Sequence, residues 1–518
     1  MSFINGLLDT AKHLPGVANM LNKVASNKLA AATQSRPHSY SLWSPLDKLG
    51  AAPSDYLTWH TVTDKNFFDL HLPPARAEYV SQLPNNAPTK DFPFGEITTL
   101  FERKSGLKQG RSSVFFMFFA QWFTDGFFRS SHIDPRQTTS NHNIDLAQIY
   151  GYNEAVALLL RSKHGGKLQS QFIDGEEYPD ALGEFDNDGN WQVKERYQTL
   201  PYIEDSQWQE QIFGHLNDQQ KSHLYATGLE RGNTMVGHMA ISTLFLREHN
   251  NLCDELSQAY PSWDDDRLFH TARIINTVIL MKLVIEDYVN HIAGLDVLIM
   301  DPTFAEEQRW YRTPWIAAEF NLLYRWHGLV PDYLLMEQGQ ESLTDNFELL
   351  KDRGLSAILA AASKQPAGQI SLDNVPSFLL PAEMAMINKG REWCLQPYNV
   401  YREKFGLKAL TSFEQLTDDR EITSKLQSLY GHIDKLELTV GLFAEDGGSK
   451  LTGELQTAMV AYDALTQIYT NPLLAKENYT ERHFTPVGMK RINATHSFQD
   501  LADRNLVGQP QVHVARKA

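Results

Sequence analysis

Cysteine is nearly missing from this sequence: Cys253 and Cys394 are the only two among 518 residues. They lie far apart, so neither a disulfide framework nor a cysteine-built zinc site can be assembled from them. The economical reading is a reducing compartment, or a fold that does not rely on crosslinks. Positive charge is also in deficit. Lys and Arg number 47 against 63 Asp and Glu, a formal net charge of −16. That balance argues against a nucleic-acid partner, whose counterions must be displaced by a basic surface. Long apolar runs are lacking too. The best lies around Ile274–Val289, but Asn276, Lys282, Glu286 and Asp287 interrupt it. A lipid-crossing helix needs about 20 largely apolar residues, so this run is expected to be a buried core helix. The N-terminus has no continuous apolar block, because Asn5, Gly6 and Asp9 break it, and no signal peptide is expected. There is no P-loop, no Gly-x-Gly-x-x-Gly after a strand, no Gly-x-Ser-x-Gly and no His-Glu-x-x-His. Many nucleotide-dependent and hydrolytic readings fall with those motifs.

What remains is a globular composition, 42% hydrophobic and 21% charged, long enough for one large core. Residues 1–40 stand apart. Phe3, Ile4, Leu7, Leu8 and Leu14 recur at helical spacing, Pro15-Gly16 breaks the pattern, and Val17, Met20, Leu21 and Val24 resume it. Through Tyr40 the segment is basic, with Lys12, Lys23, Lys28 and Arg36 against Asp9. Such amphipathic helices either lie in a membrane surface or pack on the body as two short helices. Residues 41–110 read as loops and short elements. From Ser113 onward helix dominates, with candidates at 113–130, 143–163, 207–224, 233–259, 264–291, 315–328, 347–363, 380–388, 397–404 and 421–429. Residues 165–200, rich in Gly, Asp and Glu, read as a surface excursion with short strands. Without repeats or long linkers, residues 41–518 are expected to form one large, mainly α-helical domain with very little β.

Two stretches carry candidate chemistry. In Ala317–Asp332, Gly328 and Pro331 suggest a helix ending just after His327. Tyr324 and His327 would then share a face, about 4.5 Å apart along the axis. A histidine at a helix end can ligate a metal or haem iron, and a tyrosine one turn away can exchange an electron with it. Taken alone, the pairing is the commoner signature of core packing. The second stretch, Phe115–Phe128, is apolar almost all round and should be buried. Gln121 and Asp125 are one turn apart in it, and a buried carboxylate needs a partner or a function.

These residues, taken with others, resemble the cyclooxygenase branch of the animal-type haem peroxidase superfamily. The segments that carry the resemblance are Phe118–Phe128, Asp145-Leu146-Ala147-Gln148-Ile149-Tyr150-Gly151, Ile173–Pro179, Leu246-Arg247-Glu248-His249-Asn250, Val284–Val289, Ala317–Asp332 and Leu429–Asp434. They come in the family's order across roughly residues 35–500. The resemblance implies a haem-dependent fatty-acid dioxygenase with haem b. His327 matches the proximal haem ligand, Tyr324 the tyrosine oxidised to a radical, Tyr288 its hydrogen-bonding neighbour and Gln121 the glutamine on the distal face. Arg36 matches the arginine at the channel mouth that pairs with the fatty-acid carboxylate, a task suited to the two-pronged guanidinium. Val289, Leu295 and Ala464 fall among the substrate-binding positions. An unsaturated fatty acid and O2 are the implied substrates, a membrane surface is the implied partner of residues 3–32, and a homodimer is implied by the animal enzymes. The expected location is peripheral (monotopic) on the cytoplasmic side of a membrane.

Departures from the family pattern qualify this. The distal histidine falls on Asp125, so weak peroxidase activity is expected, because a carboxylate differs from imidazole in pKa and geometry. Leu295 replaces a polar mouth tyrosine, Ala464 the serine that aspirin acetylates, and Thr439 a tyrosine near the proximal side. The disulfide-rich module of the animal enzymes has no counterpart, and no calcium loop is recognisable in 138–151. A linear hydroperoxide is the expected product. The alternatives are a haem peroxidase acting on hydroperoxides or small reductants, and a catalytically inactive, membrane-associated haem-binding protein.

Overall fold

The structure, a computed structural model, describes residues 17–30, 43–44, 46–49, 56–294, 296–448 and 450–516. Helices dominate, and the strands among the described residues form two-stranded pieces. Gln109–Ser113 pairs antiparallel with Pro366–Gly368, and Leu334–Met336 with Gly339–Glu341. The excursion at 165–200 holds two hairpins, Ser170–Ile173 with Glu176–Pro179 and Gly183–Phe185 with Trp191–Val193.

The centre of the fold is the Phe-rich helix Val114–Asp125. The Ser113 hydroxyl caps it by accepting the Phe116 amide, and Gly126 closes it. Val114 through Ala120, Trp122 and Phe123 are all buried, as a helix apolar on every side requires. The long helix Val236–Ala259 lies against it. The Trp122 indole N–H donates to Ser242 Oγ at 2.9 Å, and its ring stacks on Phe245 at 5.0 Å. The approach depends on Gly237, because a Cβ there would lie 2.2 Å from the Phe118 ring. Glu248, fully buried on the long helix, binds Arg491, Arg504 and Asn505 and so fastens the C-terminal helices Glu481–Asn493 and Phe498–Asn505 to the core.

The longest apolar stretch is Asp265–Leu283, continued by Val284–Val289 and Asn290–Ala293 and stopped at Gly294, φ 63°. It is long and apolar enough to cross a membrane, yet 83% of its most apolar window is buried in the protein, as expected of a core helix. Its middle segment is π-helical, a one-residue widening of the α-helix. Lys282, Glu286 and His496 share an ion-paired cluster on the outer side of that turn, and Asp287 accepts the Phe498 amide at 2.9 Å.

Several expected helices are shorter or divided. The candidate at 143–163 splits into Ala147–Tyr150 and Glu154–Leu160 around Gly151, φ 73°. That at 347–363 splits at Gly354, φ 77°. Beyond 429 the helices Leu438–Ala444, Glu454–Tyr469, Glu481–Asn493 and Phe498–Asn505 were not expected from the sequence. Of residues 1–40, only Val17–Ala30 is described, as one helix against Glu454–Tyr469. Asn22 and Ser26 face inward, Asn22 Oδ1 accepting the Ile299 amide, and Asn27 Oδ1 accepts the Trp310 indole N–H. Met20 and Val24 are 59% and 61% exposed on its outer side.

Candidate active site

The expected helix over 315–328 is cut short. It runs only over Ala318–Leu323, then Tyr324 and Trp326 leave helical geometry and a 3-10 turn begins at His327. Tyr324 and His327 therefore do not sit one above the other on an α-helix. A side chain explains the break: Gln456 Nε2 donates to the Leu323 carbonyl at 2.7 Å. In a continuing helix that carbonyl would accept the His327 amide. Gly328 lets the following turn press on the neighbouring chain, since a Cβ would lie 2.5 Å from the Gln369 carbonyl oxygen.

His327 is held by one short bond. Its Nδ1 lies 2.6 Å from Oε1 of Glu383, a fully buried carboxylate on the helix Leu380–Glu392. A carboxylate accepts, so Nδ1 carries the proton and the Nε2 lone pair is free for an incoming electrophile. Among the described residues no bond to Nε2 is formed. Glu383 Oε2 is buried without a partner. Thr439 is packed under Gly390 on the same helix.

Tyr324 is buried with its ring stacked on Trp326 at 4.5 Å and edge-on to Phe320 at 5.2 Å. Tyr288 reaches it from the π turn, stacked on Phe116 at 4.9 Å. The two hydroxyls interact, but neither completes a hydrogen bond of good geometry. Burial pushes the Tyr288 and Tyr324 phenols well above their ordinary range, so both keep their protons. Behind Phe320 a small apolar void is lined by Phe123, Phe127 and Ala464. Val289 is buried beside Tyr288. Arg36 and Leu295 lie outside the described residues.

Gln121 and Asp125 occupy the C-terminal end of the Phe-rich helix. Gln121 Oε1 is buried without a partner. Asp125 faces a cleft of about 610 Å³ together with Arg129, Arg231, Tyr324, Arg325 and Lys389. Burial raises the Asp125 pKa, but the His238 bond and the cations Arg231 and Arg129 outweigh it, and the net shift is downward. Burial, then Arg325, lowers Lys389 to about 8. His238 is the unexpected neighbour: its Nε2 lies 2.8 Å from Asp125 Oδ2, and its Nδ1 is buried without a partner.

Glu383 and His238 are the residues that the sequence reading missed. Glu383 gives no local signal, being one acid in an ordinary helix. His238 follows Gly237 at the start of an otherwise apolar run, where a histidine must be bonded or useful.

The residues fit a haem. A cleft of this size borders Tyr324 and Asp125, and His327 follows three residues after Tyr324 without itself lining it. One imidazole nitrogen is free while the other is fixed, and polar atoms of Gln121, Tyr324 and His238 are buried without partners. No cluster of three or more His, Cys, Asp or Glu that could hold a bare metal ion occurs among the described residues. A single histidine suffices where a macrocycle supplies the other ligands.

Comparison with known proteins agrees. Residues 127–515 match the animal haem peroxidase family. The chain is 32% identical over 516 residues to prostaglandin G/H synthase 2 of Gallus gallus, covering 96% of this chain and 80% of that one. Prostaglandin G/H synthase 1 of Mus musculus is 32% identical over 477 residues, covering 88% and 74%. Among solved structures, the Arabidopsis thaliana fatty acid alpha-dioxygenase superposes with a TM-score of 0.67 at 16% identity, over 100% of this chain and 94% of that one. Peroxidase A from Dictyostelium discoideum gives 0.65 at 17% identity, over 93% and 100%. These two share the mainly helical fold. The chain belongs to the animal haem peroxidase family and is a haem-dependent oxidoreductase.

Proposed function

We propose that the protein is a fatty-acid dioxygenase that uses haem b, a tyrosyl radical at Tyr324 and O2 to convert an unsaturated fatty acid into a linear hydroperoxide. The observation that carries this reading is the burial of the Tyr324 phenol, whose hydroxyl faces the Tyr288 hydroxyl and has no other polar partner among the described residues. A phenol kept protonated and dry gives up a hydrogen atom, not a proton. Haem bound at His327 would supply the oxidising equivalent that makes the radical.

The radical takes the hydrogen between two double bonds, where the pentadienyl product is delocalised. O2 adds to the carbon radical, and the peroxyl radical regains a hydrogen atom from Tyr324, giving the hydroperoxide and restoring the tyrosyl radical. The protein's part is positioning and exclusion of water. Phe320 packs edge-on against Tyr324, and Phe127 and Ala464 line the apolar void on the far side of Phe320. Arg36 is the proposed anchor for the fatty-acid carboxylate. The rice alpha-dioxygenase, a fold neighbour, is described with palmitic acid, which supports a fatty acyl chain as the ligand class.

Membrane docking on the cytoplasmic side through the N-terminal segment belongs to the same reading. It is supported by the helix Val17–Ala30, which turns Asn22 and Ser26 inward and Met20 and Val24 outward. A homodimer is proposed by kinship with the prostaglandin synthases. The deciding test is oxygen uptake by the haem-reconstituted protein with linoleate and a trace of peroxide. Uptake abolished in Tyr324→Phe is the expected result. No uptake from a wild-type protein with a normal haem spectrum would refute it and leave a peroxidase, a reading that the Asp125–His238 pair favours, or an inactive haem-binding protein.

A further inference from the structure

We propose that His238 and Asp125 act as one proton-exchanging pair for a peroxide entering the cleft, with the imidazole contributed by the long helix and the carboxylate by the Phe-rich helix. The inference rests on the haem reading above, because the cleft is taken to be the haem cleft. It reverses an expectation from the sequence. Asp125 by itself suggested a site without an imidazole, and the fold supplies one from more than a hundred residues along the chain.

The geometry carries the argument. His238 Nε2 and Asp125 Oδ2 are 2.8 Å apart, and the His238 side chain is 6% exposed. Asp125 also lines the cleft that Tyr324 borders. A carboxylate that stays ionised accepts from Nε2–H, which fixes the tautomer and leaves Nδ1 as an open base. Nδ1 is buried and unbonded. An unsatisfied acceptor in that position costs stability, and a transient proton from a substrate would relieve the cost. The facing charges suit the task. Arg231 Nη1 stands 3.7 Å from Asp125 Oδ1, while Arg129 is neutralised by Glu230 at 3.0 Å. Arg325 and Lys389 complete the cleft wall. Asp125 therefore keeps its charge and steadies an imidazolium, the role a carboxylate plays behind a catalytic histidine. Gly237 makes the meeting possible, since the two helices could not approach so closely with any side chain there.

The proton balance is simple. A hydroperoxide that reaches His238 Nδ1 gives its O–H proton to that nitrogen, so the pair gains one proton while the bond from Nε2 to Asp125 is kept. The peroxide anion remains in the cleft. The same proton is then available to the oxygen that departs as an alcohol when the O–O bond breaks, a two-electron reduction for which bound haem would supply the electrons and take the other oxygen, so no proton is lost to water.

Cyanide tests this without turnover. It enters as HCN and binds as the anion, so a site that holds the proton binds it without acidifying the medium. In the haem-loaded wild type, cyanide binding is expected to release no proton to a weakly buffered indicator solution at neutral pH. His238→Gln, which keeps a polar side chain beside Asp125 but cannot exchange a proton, should release one proton per cyanide. Its affinity should fall about ten- to a hundredfold, the worth of a lost hydrogen bond to a charged group. His238→Leu should behave alike, and the double change Asp125→His with His238→Leu should recover both readouts. An unchanged proton count and affinity in His238→Gln, with an intact Soret band, would overturn the proposal while leaving the dioxygenase reading untouched. A wild type that forms no Soret band would overturn both.

Discussion

Replacing Glu383 by glutamine tests the bond that orients His327, and its two effects should have opposite signs. In the wild type the His327 Nδ1–H meets a buried carboxylate oxygen at 2.6 Å, while the second oxygen has no partner. A hydrogen bond to a charged group contributes about 1.5–3 kcal/mol, against about 0.5–1.5 for a neutral pair. The amide of Glu383→Gln would keep an acceptor for Nδ1 but lose the charge, so about 1–2 kcal/mol of ligand strength is at stake. That is roughly five- to thirtyfold in haem affinity, within the about 10–100-fold typical of such outer partners. Without haem the sign reverses. The wild-type apoprotein buries an ionised group with one oxygen unsatisfied, and the neutral amide relieves that cost. The Tm of apo Glu383→Gln should therefore equal or exceed that of the wild-type apoprotein. The assays are a Soret titration with haemin and a thermal melt of the apoprotein. Haem affinity unchanged within about twofold, in a variant that melts normally, would refute the claim that Glu383 strengthens His327.

Gly237→Ala should force the long helix away from the Phe118 ring, costing about 1–3 kcal/mol by overpacking, and should raise the proton release on cyanide binding; a melt matching wild type would show that the helices have slack. Glu248→Gln should cost about 1–3 kcal/mol, because Arg491 and Arg504 lose a fully buried counter-charge although Arg491 keeps Glu255; a fall in urea midpoint worth under about 0.5 kcal/mol would contradict this. Burial chiefly, then Asp500 and Asp296, raises Asp287 from the ordinary carboxylate range to about 6. The native state thus binds that proton more tightly than the unfolded chain, so Asp287 costs stability above about pH 6 and the cost disappears toward about pH 4. Asp287→Asn, which can still accept the Phe498 amide, should stabilise the protein by about 1–3 kcal/mol at about pH 8 and by nothing at about pH 4; equal effects at both pH values would refute the assignment.

Long buried helices were legible because they are apolar over many turns: Val114–Asp125 and Val236–Ala259 end within a few residues of their expected limits. Glu454–Tyr469 was not, because it is buried on nearly every side and its Thr, Gln, Tyr and Asp residues give no contrasting face. Glu481–Asn493 hid behind Pro486 and the kink at Thr485. Phe498–Asn505 did carry a readable signal, the Ser497–Asp500 capping box. At the site, Tyr324, His327, Gln121 and Asp125 stand out in local sequence, and Tyr288 was named through the family resemblance. Their partners were not, since Glu383 and His238 reach His327 and Asp125 only through the tertiary fold. The break after Leu323 was equally hidden, because it depends on a side-chain amide 133 positions away.

The π-helical turn at Val284–Val289 makes the helix a phase-shifted element. One surplus residue rotates everything after it by about 100° relative to everything before it. Upstream, the helix keeps step with Glu481–Asn493; downstream, His291 Nε2 meets Ser112 Oγ at 2.8 Å. Tyr288 sits at the junction, pointing at Tyr324 while Glu286 and Asp287 point the other way to hold Met300, His496 and Phe498. Loss of one residue from this turn would bring the two halves back into register. The tyrosine contact, the anchorage of the last helix and the Ser112 bond would then be lost together, although no residue type had changed. Insertions and deletions between 284 and 289 should thus be excluded from working descendants of this chain, while substitutions on its outer face are filtered one at a time.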